Sequence, residues 1–184
     1  EYMDKIFLMT YDFHGLWESL TAFNAPLYPA SDSPYVDEAS INVDAAIQTW
    51  LAAGIDSDKI VMGAPLYGRG WASVPADQHG IFQSGSGQPG GTWEEGVFDY
   101  GDLVANYIGQ GDWTRYWHAE SQVPWLYSPS QQILISYDDE ESITAKLDYI
   151  IDEDLGGMMF WELSGDATGN VLTGIMADRL RPPE

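Results

Sequence analysis

The feature that most constrains the fold is a short apolar run, Ile6-Phe7-Leu8, followed directly by Met9-Thr10-Tyr11-Asp12. Such a run predicts a buried strand whose carboxyl end carries a tyrosine and a carboxylate. Parallel α/β folds bind ligands at the carboxyl ends of their strands, so a site is expected there. Two further runs end in the same way, residues 60–64 in Tyr67-Gly68-Arg69 and residues 157–160 in Trp161-Glu162.

Strands and helices alternate near both ends of the chain. Apolar runs predict buried strands over residues 5–10, 60–64 and 157–160. Apolar residues at helical spacing predict helices over residues 42–53, 140–154 and 170–180. This alternation is typical of βαβ units with a parallel sheet. Three such strands cannot close a barrel, and an open sheet edge invites association with another segment.

The ends of the first and last helices carry recognisable signals. Asn42 is the expected cap of the first helix, and Gly54 suits the position just after its end. Trp50 falls in the apolar stripe of that helix and is expected in the core. Arg181-Pro182-Pro183 ends the last helix.

The middle of the chain changes character. Residues 71–137 are rich in glycine and aromatic residues and contain short alternating segments, which predict a small, mainly antiparallel α+β insertion. Within it, Trp113, Trp117 and Trp125 are expected to form the insertion's own core. Residues 11–40 form a long loop, and loops of this length are usually functional or mobile.

Charge and composition exclude several classes of partner. The chain has 184 residues, with 29 acidic and 7 basic side chains and a net charge of -22. Nucleic acids and anionic membranes need a basic footprint, so neither is expected as a partner. A neutral or cationic ligand fits this charge, although acidity also serves solubility alone. No apolar run approaches the ~18 residues of a membrane span.

Other compositional features point to an uncharged, ring-shaped ligand. The chain contains 8 tryptophans and 11 tyrosines, whose flat apolar faces and polar edges suit stacking on sugar rings. It contains no cysteine, which excludes disulfides. His14, His79 and His118 are too widely spaced for a metal-ligand motif, so no metal or cofactor is expected. Glu1-Tyr2-Met3-Asp4 does not resemble the start of a signal peptide, and the chain looks like part of a longer protein.

Four motifs, in this order, together resemble the family 18 chitinases. They are Met9-Thr10-Tyr11-Asp12-Phe13-His14-Gly15-Leu16-Trp17-Glu18, Gly63-Ala64-Pro65-Leu66-Tyr67-Gly68-Arg69-Gly70-Trp71, Tyr137-Asp138-Asp139 and Gly156-Gly157-Met158-Met159-Phe160-Trp161-Glu162. The resemblance implies an α/β fold, a partial TIM (β/α)8 barrel with about strands 6–8. Residues 1–70 and 138–184 would belong to the barrel, and residues 71–137 would form the α+β chitinase insertion domain.

One family motif is absent. The signature Asp-x-x-Asp-x-Asp-x-Glu, which the family carries on its fourth strand, does not occur in this sequence. Asp138-Asp139-Glu140-Glu141 lacks its spacing and lies at a helix start. The chain therefore resembles the C-terminal part of a catalytic domain, lacking the general-acid glutamate and the N-terminal half of the barrel.

The resemblance also implies roles for individual residues. In this family the 2-acetamido group of the substrate attacks the anomeric carbon, an exception to the two-carboxylate scheme. Tyr11 would hydrogen-bond the acetamido carbonyl, and Asp12 would contact the sugar at the cleavage point; both would be catalytic. The alternative for these two residues is a capped strand end. Met9 would lie under the acetamide pocket or simply belong to the strand core.

The remaining candidates would bind substrate, each with a structural alternative. Tyr67 and Arg69 would line the site from the seventh strand, although Arg69 could also be a salt bridge to a neighbouring acid. Trp161 would be the floor under the cleaved sugar, or core. Trp17 and Glu18 would contact sugar beyond the cleavage point, or anchor their loop. Trp71 and Trp93 would extend the groove wall.

The resemblance implies hydrolysis of β-1,4-linked N-acetylglucosamine polymers by a retaining, substrate-assisted mechanism, in a secreted protein. Chitin or chito-oligosaccharide would be the partner. The alternative is a non-catalytic chitinase-like lectin that binds chito-oligosaccharides, which the absent glutamate keeps open. A self-standing binding module is a third interpretation, and the flanking βα units argue against it.

Overall fold

The computed structural model describes residues 2–181, which contain two sheets and four α-helices. Pro182 and Pro183, expected to end the last helix, lie outside the described residues. The strands are β1 (Ile6–Leu8), β2 (Ile60–Pro65), β3 (Tyr67–Trp71), β4 (Val97–Asp99), β5 (Thr114–His118), β6 (Val123–Ser128), β7 (Ile133–Ser136) and β8 (Gly157–Trp161). The helices are α1 (Val43–Ala52), α2 (Tyr100–Asn106), α3 (Glu140–Asp152) and α4 (Val171–Leu180).

The first sheet is parallel, with the order β1-β2-β8. The three predicted strands and their parallel arrangement are confirmed. The prediction of a fully buried first strand over residues 5–10 is wrong, since β1 is shorter and its Phe7 is 62% exposed. β1 is an edge strand that pairs only with β2 on its inner side. Within this sheet, burial along the whole strand is a property of the central strand β2 alone. The prediction of a buried strand over residues 157–160 is therefore also wrong, since β8 is half-buried to exposed and its Phe160 is 36% exposed.

The helices begin close to where the sequence predicts. The Asn42 side chain caps α1 by accepting a hydrogen bond from the Ala45 amide at 2.9 Å, as predicted. Ile47 is buried in the main core on the inner face of α1. Trp50 is 40% exposed on that helix, so its predicted place in the core is wrong. Helical spacing indicated a stripe, but Trp50 lies at its outer margin.

A second, antiparallel sheet has the order β4-β3-β7-β6-β5. β3 pairs with β4 and β7 and with no strand of the parallel sheet. Tyr67 and Arg69 therefore project from the antiparallel sheet, and the prediction that they lie on a barrel strand is wrong. The chain leaves β2 at Pro65 and enters the second sheet after a single residue.

The tryptophans of the insertion do not share one core. Trp125 packs in the second cluster, beside Phe23. Trp113 packs in the main core. Trp117 is only partly buried and lies under the Arg115 guanidinium, at 5.2 Å. The prediction that the three tryptophans form the insertion's own core is therefore wrong. The apolar side chains of the five-stranded sheet are divided between two separate hydrophobic clusters.

Side-chain and backbone hydrogen bonds hold the long loop after β1 against the second sheet. The Thr21 hydroxyl donates to the Gly80 carbonyl at 2.6 Å, and Phe23 is buried. The backbone amide of Asn24 donates a hydrogen bond to Ser136 Oγ at 2.9 Å. This loop therefore connects the parallel sheet to the antiparallel one. Within residues 2–181, no helix is long and apolar enough to cross a membrane.

Candidate active site

The carboxyl end of β1 delivers Tyr11 and Asp12 to the edge of the parallel sheet. Thr10 Oγ1 accepts from the Gly63 amide at 3.0 Å and donates to the Gly63 carbonyl at 2.7 Å, which keeps the chain beside β2. Asp12 then has a left-handed backbone with φ of 60°. Its amide donates to Asn24 Oδ1 at 3.0 Å, a contact that holds the turn. Non-glycine residues held in this region often mark functional sites.

The Asp12 carboxylate accepts hydrogen bonds from two residues of β3, Tyr67 and Arg69. Asp12 Oδ1 accepts from the Tyr67 hydroxyl at 2.7 Å and from Arg69 Nε at 2.9 Å. Asp12 Oδ2 accepts from Arg69 Nη2 at 2.8 Å. Such two-point guanidinium–carboxylate contacts fix orientation as well as charge. Arg69 therefore does form a salt bridge to a neighbouring acid, and that acid is Asp12, the candidate catalytic residue.

The electrostatics keep both phenols neutral and the guanidinium charged. Burial, together with the Asp12 charge, raises the pKa of Tyr67. The same two causes, burial and Asp12, raise the pKa of Tyr11. Burial opposes the charge of Arg69, but hydrogen bonds and attraction from Asp12 outweigh it and raise the pKa of Arg69. Both hydroxyls are therefore protonated hydrogen-bond donors at neutral pH.

These residues face a cavity of about 590 Å³. Met9, 73% exposed, and Trp161, 60% exposed, present apolar faces to it. Gly63 provides room on the β2 side, since a Cβ there would lie 2.9 Å from the Tyr11 ring. The lining residues are Met9, Tyr11, Asp12, Leu66, Tyr67, Arg69, Trp93, Glu94, Val97, Asp99, Trp161, Glu162 and Gly165.

Trp17 and Glu18 lie beside this cavity and not in its lining. Trp17 is 59% exposed, and its ring lies 5.5 Å from the Arg69 guanidinium carbon. Glu18 turns its carboxylate to His14 Nδ1 at 2.8 Å. This contact agrees with the alternative that Glu18 anchors its loop. A contact of Trp17 or Glu18 with sugar stays a prediction.

Trp71 is not available to a ligand. Alternation along β3 places it on the same face as Tyr67 and Arg69, yet it is 1% exposed and packs beside Val74 in the second cluster. The loop around Gly85 covers it, since a Cβ on Gly85 would lie 3.0 Å from Trp71 Cβ. The prediction that Trp71 extends the groove wall is wrong. Trp93, 86% exposed, does line the cavity.

Sequence reasoning misses Asn24, which is 1% exposed. It accepts from the Asp12 amide, and its Nδ2 donates to the Tyr67 carbonyl at 3.4 Å. A single asparagine in a proline-containing loop carries no periodic signal that could have identified it. The described part of the chain contains no group of three metal-ligating side chains close enough to hold a metal ion.

Comparison with known sequences assigns the chain to a family. The model described as glycosyl hydrolases family 18 matches residues 1–166, so this chain belongs to glycoside hydrolase family 18. It is 46% identical over 180 residues to Chitinase A1 of Niallia circulans, covering 96% of this chain and 26% of that protein. A probable endochitinase of Caenorhabditis elegans is 39% identical over 170 residues, covering 89% of this chain and 26% of that protein.

The structural comparison agrees. The structure of chitinase ChiA74 from Bacillus thuringiensis superimposes with a TM-score of 0.89 at 40% identity, over 96% of this chain and 31% of that one. The two sheets described above therefore superimpose on part of the structure of a family 18 chitinase. The chain spans about a quarter of the length of the curated relatives it matches.

Proposed function

We propose that this chain is the C-terminal part of a catalytic domain that hydrolyses β-1,4-linked N-acetylglucosamine polymers. The observation that carries the proposal is the convergence of Asp12, Tyr67 and Arg69 beside the exposed face of Trp161. Three polar groups from two separate sheets and an aromatic surface meet at one cavity. This combination suits a sugar ring, which needs both stacking and directional hydrogen bonds.

The three parallel strands are, in this proposal, the last three of a (β/α)8 barrel. Both outer strands, β1 and β8, have one edge without a partner among residues 2–181. Phe7 is exposed on β1, as expected where further strands would cover the sheet. The antiparallel sheet is the chitinase insertion domain. We place its start at Tyr67, where β3 begins, although the sequence predicts residue 71.

The reaction we propose is substrate-assisted and retaining. A glutamic acid from the missing segment protonates the glycosidic oxygen, and the acetamido carbonyl oxygen of the same substrate attacks the anomeric carbon. The glycosidic bond breaks as an oxazolinium ion forms, and water later opens this ion with net retention. Holding the acetamide in line supplies much of the rate, because proximity replaces a bimolecular encounter.

The residues of this chain would position and stabilise that reaction. Tyr11, whose pKa burial raises further above the ordinary value of 10, is protonated and donates a hydrogen bond to the acetamido oxygen. Asp12 stabilises the positive charge that develops on the acetamido nitrogen and carbon. Arg69 and Tyr67 keep Asp12 in place, and Trp161 supports the sugar from below.

The proposed location is extracellular, because the substrate is an insoluble polymer outside the cell. An acidic surface, at a net charge of -22, is compatible with this setting. Chitin degradation and carbohydrate metabolism are the processes that the activity would serve.

The purified 184-residue chain is expected to show no turnover of a chromogenic chitobioside, because it has no proton donor of the family signature. A chimaera is expected to be active if its N-terminal part is the segment of Niallia circulans Chitinase A1 that precedes the region matching this chain, and its C-terminal part is this chain. The matched control carries glutamine for the signature glutamate in that segment and should be inactive. Turnover by the chain alone, or by the glutamine control, would contradict the proposed division of roles.

A second candidate is a chitinase-like lectin that binds chito-oligosaccharides without cleaving them, since the signature glutamate does not lie in this chain. The residues encoded upstream of Glu1 in the gene decide between the two. An enzyme would carry the spaced aspartates and the glutamate there, whereas a lectin would have lost the glutamate.

Replacing Trp161 by alanine in the inactive glutamine-control chimaera, which does not cleave the sugar, is expected to weaken chitotetraose binding about tenfold, because the stacking surface is lost. Isothermal titration calorimetry measures the affinity. Trp50→Ala is the matched control, since Trp50 is also exposed but lies on α1. A lower melting temperature with unchanged affinity would instead assign Trp161 to packing.

A further inference from the structure

His14 is buried in the loop after β1 between two carboxylates. Its side chain is 1% exposed. Nδ1 donates to Glu18 Oε2 at 2.8 Å, and Nε2 lies 3.7 Å from Glu38 Oε2. Among the described residues, Nε2 has no hydrogen-bond partner. A neutral ring with its proton on Nδ1 would direct a lone pair from Nε2 toward the Glu38 carboxylate, whereas a protonated ring directs a positive N–H there.

Glu38 is itself fixed from the other side of the loop. Its Oε2 accepts from the Ser33 hydroxyl at 2.7 Å, and its Oε1 accepts from the Ala30 amide at 3.3 Å. The Tyr35 ring lies 4.4 Å from the imidazole, and its hydroxyl donates to the Leu20 carbonyl at 2.9 Å. His14 therefore connects residues 14–20 to residues 30–38, beside the hydrogen bond from Tyr35 to Leu20 that links the same two turns.

The turn that His14 holds is the one that presents Trp17. The Glu18 amide donates to the Gly15 carbonyl at 3.0 Å, which closes the turn around Trp17. The Trp17 ring lies directly on Gly15, where a Cβ would be 2.4 Å from the ring atoms. The guanidinium carbon of Arg69, the partner of Asp12, lies 5.5 Å from the centre of the indole. Displacing Glu18 would therefore move Trp17 relative to the cavity.

We propose that His14, in its protonated form, is a positioning residue that fixes the turn carrying Trp17 by linking Glu18 to Glu38, and that loss of the His14 proton weakens the link to Glu38 and shifts Trp17. The inference rests on the proposed function, in which Trp17 contacts sugar beyond the cleavage point. It adds a pH-dependent control of that contact.

The charges around the ring agree in sign. Burial disfavours the imidazolium, but Glu38 and Glu18 outweigh it and raise the pKa of His14 above 6.5. Burial disfavours the Glu38 carboxylate, but His14, Ser33 and Ala30 outweigh it and lower the pKa of Glu38 below 4.5. The contribution of His14 is thus complete below pH 6.5 and is lost as the pH rises through its raised pKa. That of Glu38 is complete above pH 4.5 and is lost as the pH falls through its lowered pKa.

Nuclear magnetic resonance of the 20.4 kDa chain tests the link directly. The imidazole signals give the midpoint of each histidine, and the indole N–H signal of Trp17, assigned with Trp17→Phe, reports its surroundings. We expect the Trp17 signal to shift with the same midpoint as His14, above pH 6.5. In His14→Gln this shift should disappear, whereas His118→Gln, which alters a histidine paired with Asp32, should leave it unchanged.

Glu38→Gln serves if His14→Gln does not fold, as judged from the other indole signals. It keeps the side-chain shape, and it should lower the His14 midpoint and reduce the Trp17 shift. A Trp17 signal that does not follow His14, or a His14 midpoint at or below pH 6.5, would overturn the inference.

Titrating the inactive glutamine-control chimaera with chitotetraose at pH 5.5 and pH 8 separates this inference from the proposed function. Tighter binding at pH 5.5, with the difference lost in His14→Gln, is the expected result. Absence of sugar binding at both pH values would contradict the proposed function, whereas equal binding at both would contradict only the role of His14.

Discussion

Replacing Asp12 by asparagine in the active chimaera is expected to lower kcat by at least about 100-fold, the usual effect of removing one preorganised charge from an active site. Asparagine keeps the shape but presents an NH₂ group toward the donors of Tyr67 or Arg69. At least one of the three hydrogen bonds is therefore lost, together with the negative charge that would stabilise the developing oxazolinium ion. Steady-state kinetics with a chromogenic chitobioside measures the loss.

Asp99→Asn is the matched control for this experiment. Asp99 also lines the cavity, but its carboxylate accepts from Trp93 Nε1 at 2.8 Å and makes no contact with Asp12. We expect a much smaller effect on kcat from this variant, and little change in oligosaccharide affinity from Asp12→Asn. Equal losses from the two variants would show that general acidity of the cavity matters and that Asp12 has no special role.

Lys146→Met is expected to destabilise the chain by about 3–5 kcal/mol, because it leaves a buried carboxylate without its partner. Lys146 Nζ lies 2.6 and 2.7 Å from the two carboxylate oxygens of Asp138, and both side chains are almost completely buried. This loss is a large part of the ~5–15 kcal/mol typical of a folded domain. Urea unfolding monitored by tryptophan fluorescence gives the free energy of unfolding.

Two further variants make this test specific. The double variant Lys146→Met with Asp138→Asn removes both charges, so it should recover much of the loss. Arg179→Ala breaks a half-exposed ion pair with Asp148 and is expected to cost no more than about 1 kcal/mol. If Lys146→Met cost no more than Arg179→Ala, the buried pair would have no special role in stability.

Much of the parallel sheet could be predicted from local sequence. The strands at residues 60–64 and 157–160 were found from apolar runs, and Asn42 was recognised as the cap of α1. These signals work because periodicity and capping depend on residues only a few positions apart. The same local rules failed for Phe7 and Trp50, whose exposure depends on what packs against them.

The candidate site shows the same division. Placing Tyr11 and Asp12 at a strand end required only the apolar run before them. That Arg69 reaches Asp12 across 57 positions of the chain, from a different sheet, required the tertiary structure. Trp71 has the same alternation as Arg69, and only the loop that covers it decides that it is buried.

Local sequence patterns are thus enough to locate most strands and helices, to identify the strand ends that carry polar groups, and to recognise the family that the motifs resemble. The pairing of Asp12 with Arg69, of Lys146 with Asp138 and of His14 with Glu38 depends instead on how those elements pack in three dimensions. The physical reason is that local conformation follows from near neighbours along the chain. A charge pair between segments far apart in the sequence, such as Asp12 with Arg69, forms only where folding brings those segments within a few ångströms of each other.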